Sequence, residues 1–413
     1  MKKTVLKKYA ELIVKMGVNV RKGQEVIINA GLDQPDFVLM VAEAAYKAGA
    51  SRVTVDERDA RFVKLDAKYM TQKNLSKLDD WFVARLKQRS ETLPAMIYLE
   101  SDDPDVLNGI NFAKYAKAQQ AKSKVIKPIR DEMDGKYQWC IAAVPGKKWA
   151  KKVFPDLRPA AAEEKLWEYI LKCARADGND PVQEWKDHNE ALKKRCDHIN
   201  SLGIKTVEIR SGNGTDLKIG LIKDSMFLGG CEALKGSDHF YNPNMPSEEI
   251  FISPKRGEAE GIVYSSRPFS YRGYLINSFS VRFENGKAVE IKGSTDKETE
   301  VLSAMINMDE GASYLGELAL VPYSSPIRET EVVYYNTLFD ENAACHLALG
   351  DGFENCLKDY EKYSDEEAKK MGINDSMIHE DFMIGTSDTE IVGIDAEGKK
   401  HVIFKKGEWA FKI

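Results

Sequence analysis

The chain has 413 residues, 43% of them hydrophobic, and a formal net charge of −5. That length exceeds the ~100–200 residues of one domain, and the composition is sufficient for a sizeable core. The acidic balance argues against nucleic acid as a partner, and the lack of a run of about 18 apolar residues argues against a membrane-spanning helix.

No apolar run follows Met1-Lys2-Lys3, so no signal peptide is expected. The six cysteines are scattered without a CxxC pair. They read as free thiols in a reducing cytoplasm.

Apolar residues at Tyr9, Leu12, Ile13 and Met16 have the spacing of one helix face. Val26-Ile27-Ile28 reads as a buried strand. Asp33-Gln34-Pro35 opens a helix through Ala48, which Gly49 stops, and Arg52 to Val55 is the next strand. This βαβ unit predicts a parallel sheet. A helical stretch over Asn74 to Gln88 leads to a third strand at Met96–Leu99. The first domain is therefore expected to be α/β and to end at the acidic, proline-containing Ser101-Asp102-Asp103-Pro104-Asp105. It carries no GxGxxG, so a nucleotide fingerprint is absent.

Beyond residue 105 the pattern changes. A polar helix over Phe112 to Lys122 precedes a strand at Trp139–Val144. Helices then fill Ala161 to Asn200, with a break near Gly178-Asn179-Asp180-Pro181. Strands at Thr206–Ile209 and Leu217–Ile219 flank a turn at Ser211–Gly214. Strands at Ser278–Phe283 and Lys287–Ile291 flank Asn285-Gly286, the signature of a type I′ hairpin. A helix follows near Glu298 to Met308. The second domain, residues 106–413, is expected to be α+β with antiparallel sheet.

Chemistry concentrates in this second part. His379 and Asp381 are two apart, and on a strand such residues share a face, which makes half of a metal site. Asp340-Glu341-Asn342 resembles a helix start, and the alanines after it favour helix, which places His346 about one turn into a helix. Glu317 lies within the apolar run Gly316–Pro322. If it is buried, such a carboxylate must be paired, metal-bound or neutral. Glu248 and Glu249 follow a proline and a serine. No HExxH is present, so a thermolysin-like site is excluded. Taken alone, the residues leave open both a metal site at His346, His379 and Asp381 and a purely structural role for them.

The runs MPSEEIF, SSRP, GELALVP, TLFDENAACH and HEDFMIG, with YAELIVKMGVNVRKGQEV near the start and WCIAAVPGKKWAKKVFPD in the middle, resemble the M29 family of metallo-aminopeptidases. The resemblance spans nearly the whole chain. It implies a cytoplasmic, dimeric exopeptidase acting on peptides, with two divalent metal ions (zinc, cobalt or manganese) in the second domain. The family's ligands fall here on Glu249, Glu317, His346, His379 and Asp381. Glu249 is taken over Glu248 because it fits the spacing to the second glutamate.

One position departs from the pattern. Phe353, seven residues after His346, stands where the family has a tyrosine at the metal site, and a phenyl ring cannot ligate a metal.

The residue types suit peptide hydrolysis. Two ions about 3.5–4 Å apart share a hydroxide and stabilise an oxyanion, and bridging carboxylates offset their repulsion. The catalytic candidates are Glu341 and Glu249. Glu341 is a candidate general base, and its alternative role is stabilising a helix N-terminus. Glu380 is expected to face away from its neighbours. Arg267 either positions a substrate carboxyl or pairs with an acid, and Lys255 and Arg256 read as a solvated basic step. Two other function classes compete with the aminopeptidase. One is a metal- or peptide-binding protein of the same fold whose turnover is weak or lost through Phe353. The other is an α/β small-molecule binder without metal.

Overall fold

The computed structural model describes all residues except Asp102, Arg272 and Gly273. It forms two compact units. The first is Met1–Trp185 with Cys231–Pro246, and the second is Lys186–Gly230 with Ser247–Ile413.

The first unit is built on a five-stranded parallel sheet. Its order is Asn244–Met245, Trp139–Ala143, Ala95–Glu100, Glu25–Gly31, Arg52–Arg58. Val26 to Ala30 are buried without alternation, as in a strand covered on both faces. The crossover helix Pro35–Ala48 has proline in its first turn and ends at Gly49 with φ +104. The helical stretch expected over Asn74–Gln88 is two helices, Gln72–Leu75 and Asp80–Thr92. A further helix, Ala60–Tyr69, is capped by the Asp59 carboxylate. The domain end expected at Ser101–Asp105 falls inside this unit, and Asp102 lies outside the described residues. The reason is hydrogen bonding: Trp139–Ala143 pairs in parallel with Ala95–Glu100, so the sheet continues past the acidic loop.

The second unit is antiparallel. An eight-stranded sheet runs Lys287–Gly293, Phe279–Glu284, Pro254–Tyr264, Asp216–Leu221, Ile204–Arg210, Glu390–Asp395, Lys400–Lys405, Glu408–Trp409. Its first hairpin turns at Asn285 and Gly286, with φ +50 and +77, the two left-handed positions that a type I′ turn requires. A five-stranded sheet runs His379–Met383, His346–Gly350, Leu315–Leu320, Ile250–Ile252, Leu228–Gly229. Leu318, Leu347, Leu349, Phe382, Ile250 and Ile252 join Val207, Ile219, Val263 and Val281 in one buried core. That core covers one face of the five-stranded sheet, and the other face carries polar residues.

His346 is not in a helix. The helix Thr337–Asp340 ends in a short 3-10 turn, Glu341–Ala343. Ala344 is extended at φ −165, and His346 opens the strand His346–Gly350. That strand bonds to a neighbour on each side and is buried at all five positions. Two complete ladders and a buried face outweigh the alanines' helix propensity, which is a weak prior.

Candidate metal centre

Strand alternation assembles the polar face. The register sets Glu317 opposite Ala348, and Ala348 opposite Asp381. His346 lies opposite Ala319 on one side and Met383 on the other. Cross-strand partners and residues two apart share a face. Glu317, His346, His379 and Asp381 therefore project together, with the small residues Ala319, Ala348 and Gly350 between them. Phe251, opposite Ala319 on the next strand, belongs to the same face, and Glu249 lies two residues before it.

Glu317 reaches this face through an irregularity. Leu315 and Glu317 are two apart, yet Leu315 is in the core. The pairing shifts between them, from Leu315 opposite Leu349 to Glu317 opposite Ala348. This is a bulge at Gly316, the kind of feature that re-aims a side chain. A Cβ on Gly316 would lie 1.9 Å from the Asp351 carbonyl oxygen and 2.5 Å from that of Gly350.

Two overlapping sets of donors result. Glu249, Glu317 and His346 each offer an atom within 4.8 Å of the others, as do Glu317, His379 and Asp381. Glu317 belongs to both. His346 Nε2 is 3.0 Å from Glu249 Oε2. His379 Nε2 is 3.1 Å from Glu317 Oε2 and 3.3 Å from Asp381 Oδ1. Glu249, Glu317, His346 and Asp381 are buried, and His379 is 25% exposed at the mouth.

Both imidazoles have one nitrogen committed. His346 Nδ1 is 3.1 Å from the Ala344 carbonyl, and His379 Nδ1 is 2.7 Å from the Asp351 carbonyl. A carbonyl only accepts, so each Nδ1 carries the proton. In the neutral ring Nε2 is then a lone pair aimed at carboxylates, the arrangement of a metal-binding histidine fixed by its other nitrogen. Glu249 Oε2 and Asp381 Oδ1 are buried and accept no hydrogen bond. Each close nitrogen–carboxylate pair needs positive charge between its atoms, supplied by a proton on the ring or by a metal ion that displaces it, and this mixed oxygen and nitrogen set fits a divalent metal.

The charges support that reading. Burial pushes the Glu317 carboxyl up to about 7, with Asp381 and Glu249 adding repulsion. Burial, with repulsion from Asp381, Glu249 and Glu317, raises Glu341 well above the usual carboxylate range. Burial also acts on Asp381, but the charge of His379 outweighs it and holds that carboxyl at about 2. Burial disfavours a charged His346, yet Glu249 overcomes it and lifts the ring to about 9.

The supporting residues were less visible in the sequence. Asn342, read as part of a helix cap, is fully buried. Its Oδ1 accepts from Glu248 N at 2.7 Å, and its Nδ2 donates to Leu338 O at 2.9 Å and towards Glu341 Oε1 at 3.3 Å. It thus ties the Glu248–Glu249 loop to Glu341. Glu248 is buried as well but is in neither donor set, whereas Glu249 is in one. Glu380 sits on the strand position between His379 and Asp381 and so faces away. Arg267 donates to the Val332 carbonyl at 2.7 Å. Lys255 and Arg256 pair with Glu258 and Glu310 at the surface. The Phe353 ring packs 4.9 Å from His379 and 5.2 Å from Phe251, between centroids. Asp351 does not replace the missing phenol: its Oδ1 accepts from Ser376 N at 3.0 Å, and its carbonyl holds His379.

Residues 2–409 match the family model of thermophilic metalloproteases, M29. Aminopeptidase AmpS of Bacillus subtilis (strain 168) is 38% identical over 407 residues, 98% of each chain. Aminopeptidase T of Thermus thermophilus is 36% identical over 405 residues, again 98% of each. The solved structure of wild-type AmpT from Thermus thermophilus matches with a TM-score of 0.89 at 34% identity, covering 99% of this chain and 100% of that one. The chain therefore belongs to the M29 metalloprotease family, and it is an enzyme of that hydrolase class.

Gly316→Ala tests the bulge. The added methyl meets backbone that also holds His379, and such overpacking costs about 1–3 kcal/mol. A lower Tm is expected, together with weaker metal binding in a titration. A variant with the parental Tm and affinity would show that the bulge yields without moving the site.

Proposed function

We propose that the protein is a metal-dependent aminopeptidase that removes N-terminal residues from peptides at a dinuclear site. The single observation that carries this is Glu317, the carboxylate shared by two donor sets, each completed by one histidine. The charge balance agrees. Glu249, Glu317, Glu341 and Asp381 carry four negative charges when ionised, and two divalent cations offset them.

In this reading Glu249, Glu317 and His346 would hold one ion, and Glu317, His379 and Asp381 would hold the other. Zinc, cobalt and manganese all suit such a mixed oxygen and nitrogen set. When bound, a pair of divalent ions supplies Lewis acidity, activating a water and polarising the scissile carbonyl. The chain's own groups do the rest. The Nδ1–H bonds to Ala344 and Asp351 hold both imidazoles in the ligating tautomer. Glu341, whose carboxyl is held above the usual carboxylate range by burial and by the neighbouring carboxylates, would take a proton on its carboxylate oxygen from the attacking water. It returns that proton to the amine nitrogen as the C–N bond breaks. Glu249 contributes by holding its ion and by fixing His346.

A second reading is favoured by Phe353: a metal- or peptide-binding protein of this fold with weak turnover. Release of chromophore from amino-acid anilides with added zinc, cobalt or manganese separates the two, since a protein whose turnover is weak or lost releases little or none.

His379→Ala and Asp381→Ala are each expected to abolish metal-dependent hydrolysis and to weaken metal binding by roughly 10–100-fold or more, with the fold retained. The pH dependence has a definite sign. His346, raised to about 9, holds a proton at neutral pH that an incoming ion must displace. Metal affinity should therefore rise with pH up to about 9, with proton release visible as a buffer-dependent enthalpy in calorimetry. Parental metal content in the two variants, or affinity that is flat with pH, would sink the assignment.

Phe353 borders the second ion's donors through His379 and offers no oxygen. That ion should therefore bind more weakly than the first. Phe353→Tyr should tighten it by roughly 10–100-fold and raise turnover at low metal. Two equally tight ions in the parent, unchanged in the variant, would show that this position does not control metal binding.

Assembly as a homodimer follows from the family resemblance, and light scattering at micromolar concentration should give twice 46.5 kDa. A strictly monomeric mass overturns it. A cytoplasmic location is supported by six free cysteines, five of them buried, which suit a reducing compartment. Among the described residues no helix is long and apolar enough to cross a membrane.

A further inference from the structure

The carbonyl that fixes His379 belongs to a stretch with little rigidity of its own. His379 Nδ1 donates to Asp351 O at 2.7 Å. Asp351 follows the end of the strand His346–Gly350 and sits between Gly350 and Gly352, and glycine restrains the backbone least. His379 itself is reached through residues 373–378, which belong to no helix or strand. These two irregular segments bond to each other: Asp351 N donates to Ile378 O at 2.7 Å, and Gly352 N to Asn374 O at 2.9 Å. Two polar side chains then tie the pair to the sheet.

The first is Asn374, which is buried. Its Nδ2 donates to Gly311 O at 2.9 Å and to Gly350 O. With Gly352 bonded to its own carbonyl, Asn374 holds the chain on both sides of Asp351. Its Oδ1 is buried and accepts no hydrogen bond from any described residue, a cost that an apolar side chain would avoid. The two donations are therefore what the amide contributes. The second is Asp309. Its Oδ1 accepts from Ala312 N and from Ser376 Oγ, each at 2.8 Å, and its Oδ2 accepts from Met377 N at 2.6 Å. Ser376 N in turn donates to Asp351 Oδ1 at 3.0 Å. Asp309 and Gly311 lead into the strand Leu315–Leu320, which carries Glu317. One junction thus joins the start of that strand, the end of the His346 strand and the start of the His379 strand. These ends are neighbours in the sheet, with Leu315 opposite Leu349 and Gly350 opposite His379. His346 opens the strand that Gly350 ends, and four steps of extended chain put it on the order of 13 Å away. All of these residues lie in the second unit.

We propose that Asn374 and Asp309 are positioning residues: acting through the Asp351 carbonyl, they hold the His379 ring in its ligating orientation and so set the affinity of the second ion independently of the first. The proposal rests on the two-ion reading, in which Glu317, His379 and Asp381 hold that second ion. A carbonyl held from both sides keeps Nδ1 engaged and leaves Nε2 facing Glu317 and Asp381, 3.1 and 3.3 Å away. Loss of either tie lets the carbonyl swing on its glycines and the ring turn with it. Glu317 follows the same junction, but its strand is paired on both sides. His346 takes its own orientation from the Ala344 carbonyl, at the other end of its strand.

The test is calorimetric titration of the full-length, metal-free protein with zinc, and the ion lost in His379→Ala identifies the second site. Asn374→Ala removes both donations. Asp309→Asn, at a half-buried position, keeps the shape but turns an N–H group towards donors. Each should weaken the second ion by roughly 10–100-fold, the usual scale for a group behind a ligand, and leave the first unchanged. Combination with His379→Ala separates positioning from general damage. Once the ring is gone, Asp309→Asn should not weaken the remaining ion, because a residue that acts only through another loses its effect with it. Thermal unfolding checks the fold, and Asp309→Asn carries the test if Asn374→Ala does not fold. Equal weakening of both ions, weakening of the remaining ion in the His379→Ala background, or parental affinity for the second ion in the folded variants overturns the proposal while the two-ion reading stands. A parent that takes up a single ion overturns that reading and the proposal with it.

Discussion

Several carboxylates are packed in one buried space, and much of the second unit holds them there. Glu249, Glu317, Glu341 and Asp381 are buried together, with two imidazoles among them. Like charges in a medium of low polarity repel strongly, and desolvation adds to the cost of each. Such a cluster persists when packing and hydrogen bonds around it over-determine its geometry. Here the five-stranded sheet supplies that rigidity: its back face is sealed by Leu318, Leu347, Leu349 and Phe382. A site on strands that are locked from behind can be more exact than one on loops.

The surrounding hydrogen bonds show what that rigidity is for. Each histidine spends one nitrogen on a backbone carbonyl, which orients the other. Asn342 joins the glutamate loop, the end of a helix and Glu341 through one buried amide. Gly316 permits the close backbone approach that turns Glu317 inward. None of these groups is a donor in the two sets, yet each fixes the position of one that is. In the proposed reading they prepare the site before any ion arrives, so little reorganisation accompanies binding.

The edge strand of the same sheet orders part of the polar face. Residues 379, 381 and 383 lie in one row along an edge strand, two candidate donors followed by a buried methionine. A shift of that strand would move both at once.

Much of this was legible in the sequence because it depends on local periodicity. The βαβ unit, the Asn285-Gly286 turn and the pairing of His379 with Asp381 follow from spacings of two and 3.6 and from glycine's access to positive φ. The resemblance of long runs such as TLFDENAACH and HEDFMIG reached further and implied a metal role for five residues whose side chains the fold brings close together. Local pattern failed where long-range pairing decides. The Asp-Glu-Asn-Ala-Ala stretch favours a helix on its own, but His346 becomes a strand because two strands from elsewhere in the chain complete its ladders. The end of the first unit could not be read from the acidic loop, since the later strand Trp139–Ala143 returns to the same sheet. The inward turn of Glu317 depends on a bulge that alternation alone would deny, and the meeting of residues 249, 317, 346 and 379 depends on register between distant strands. Sequence determined which groups were available and which local elements they favour; only the tertiary structure decided which of them face one another, because that is set by pairing and burial between parts of the chain that are far apart.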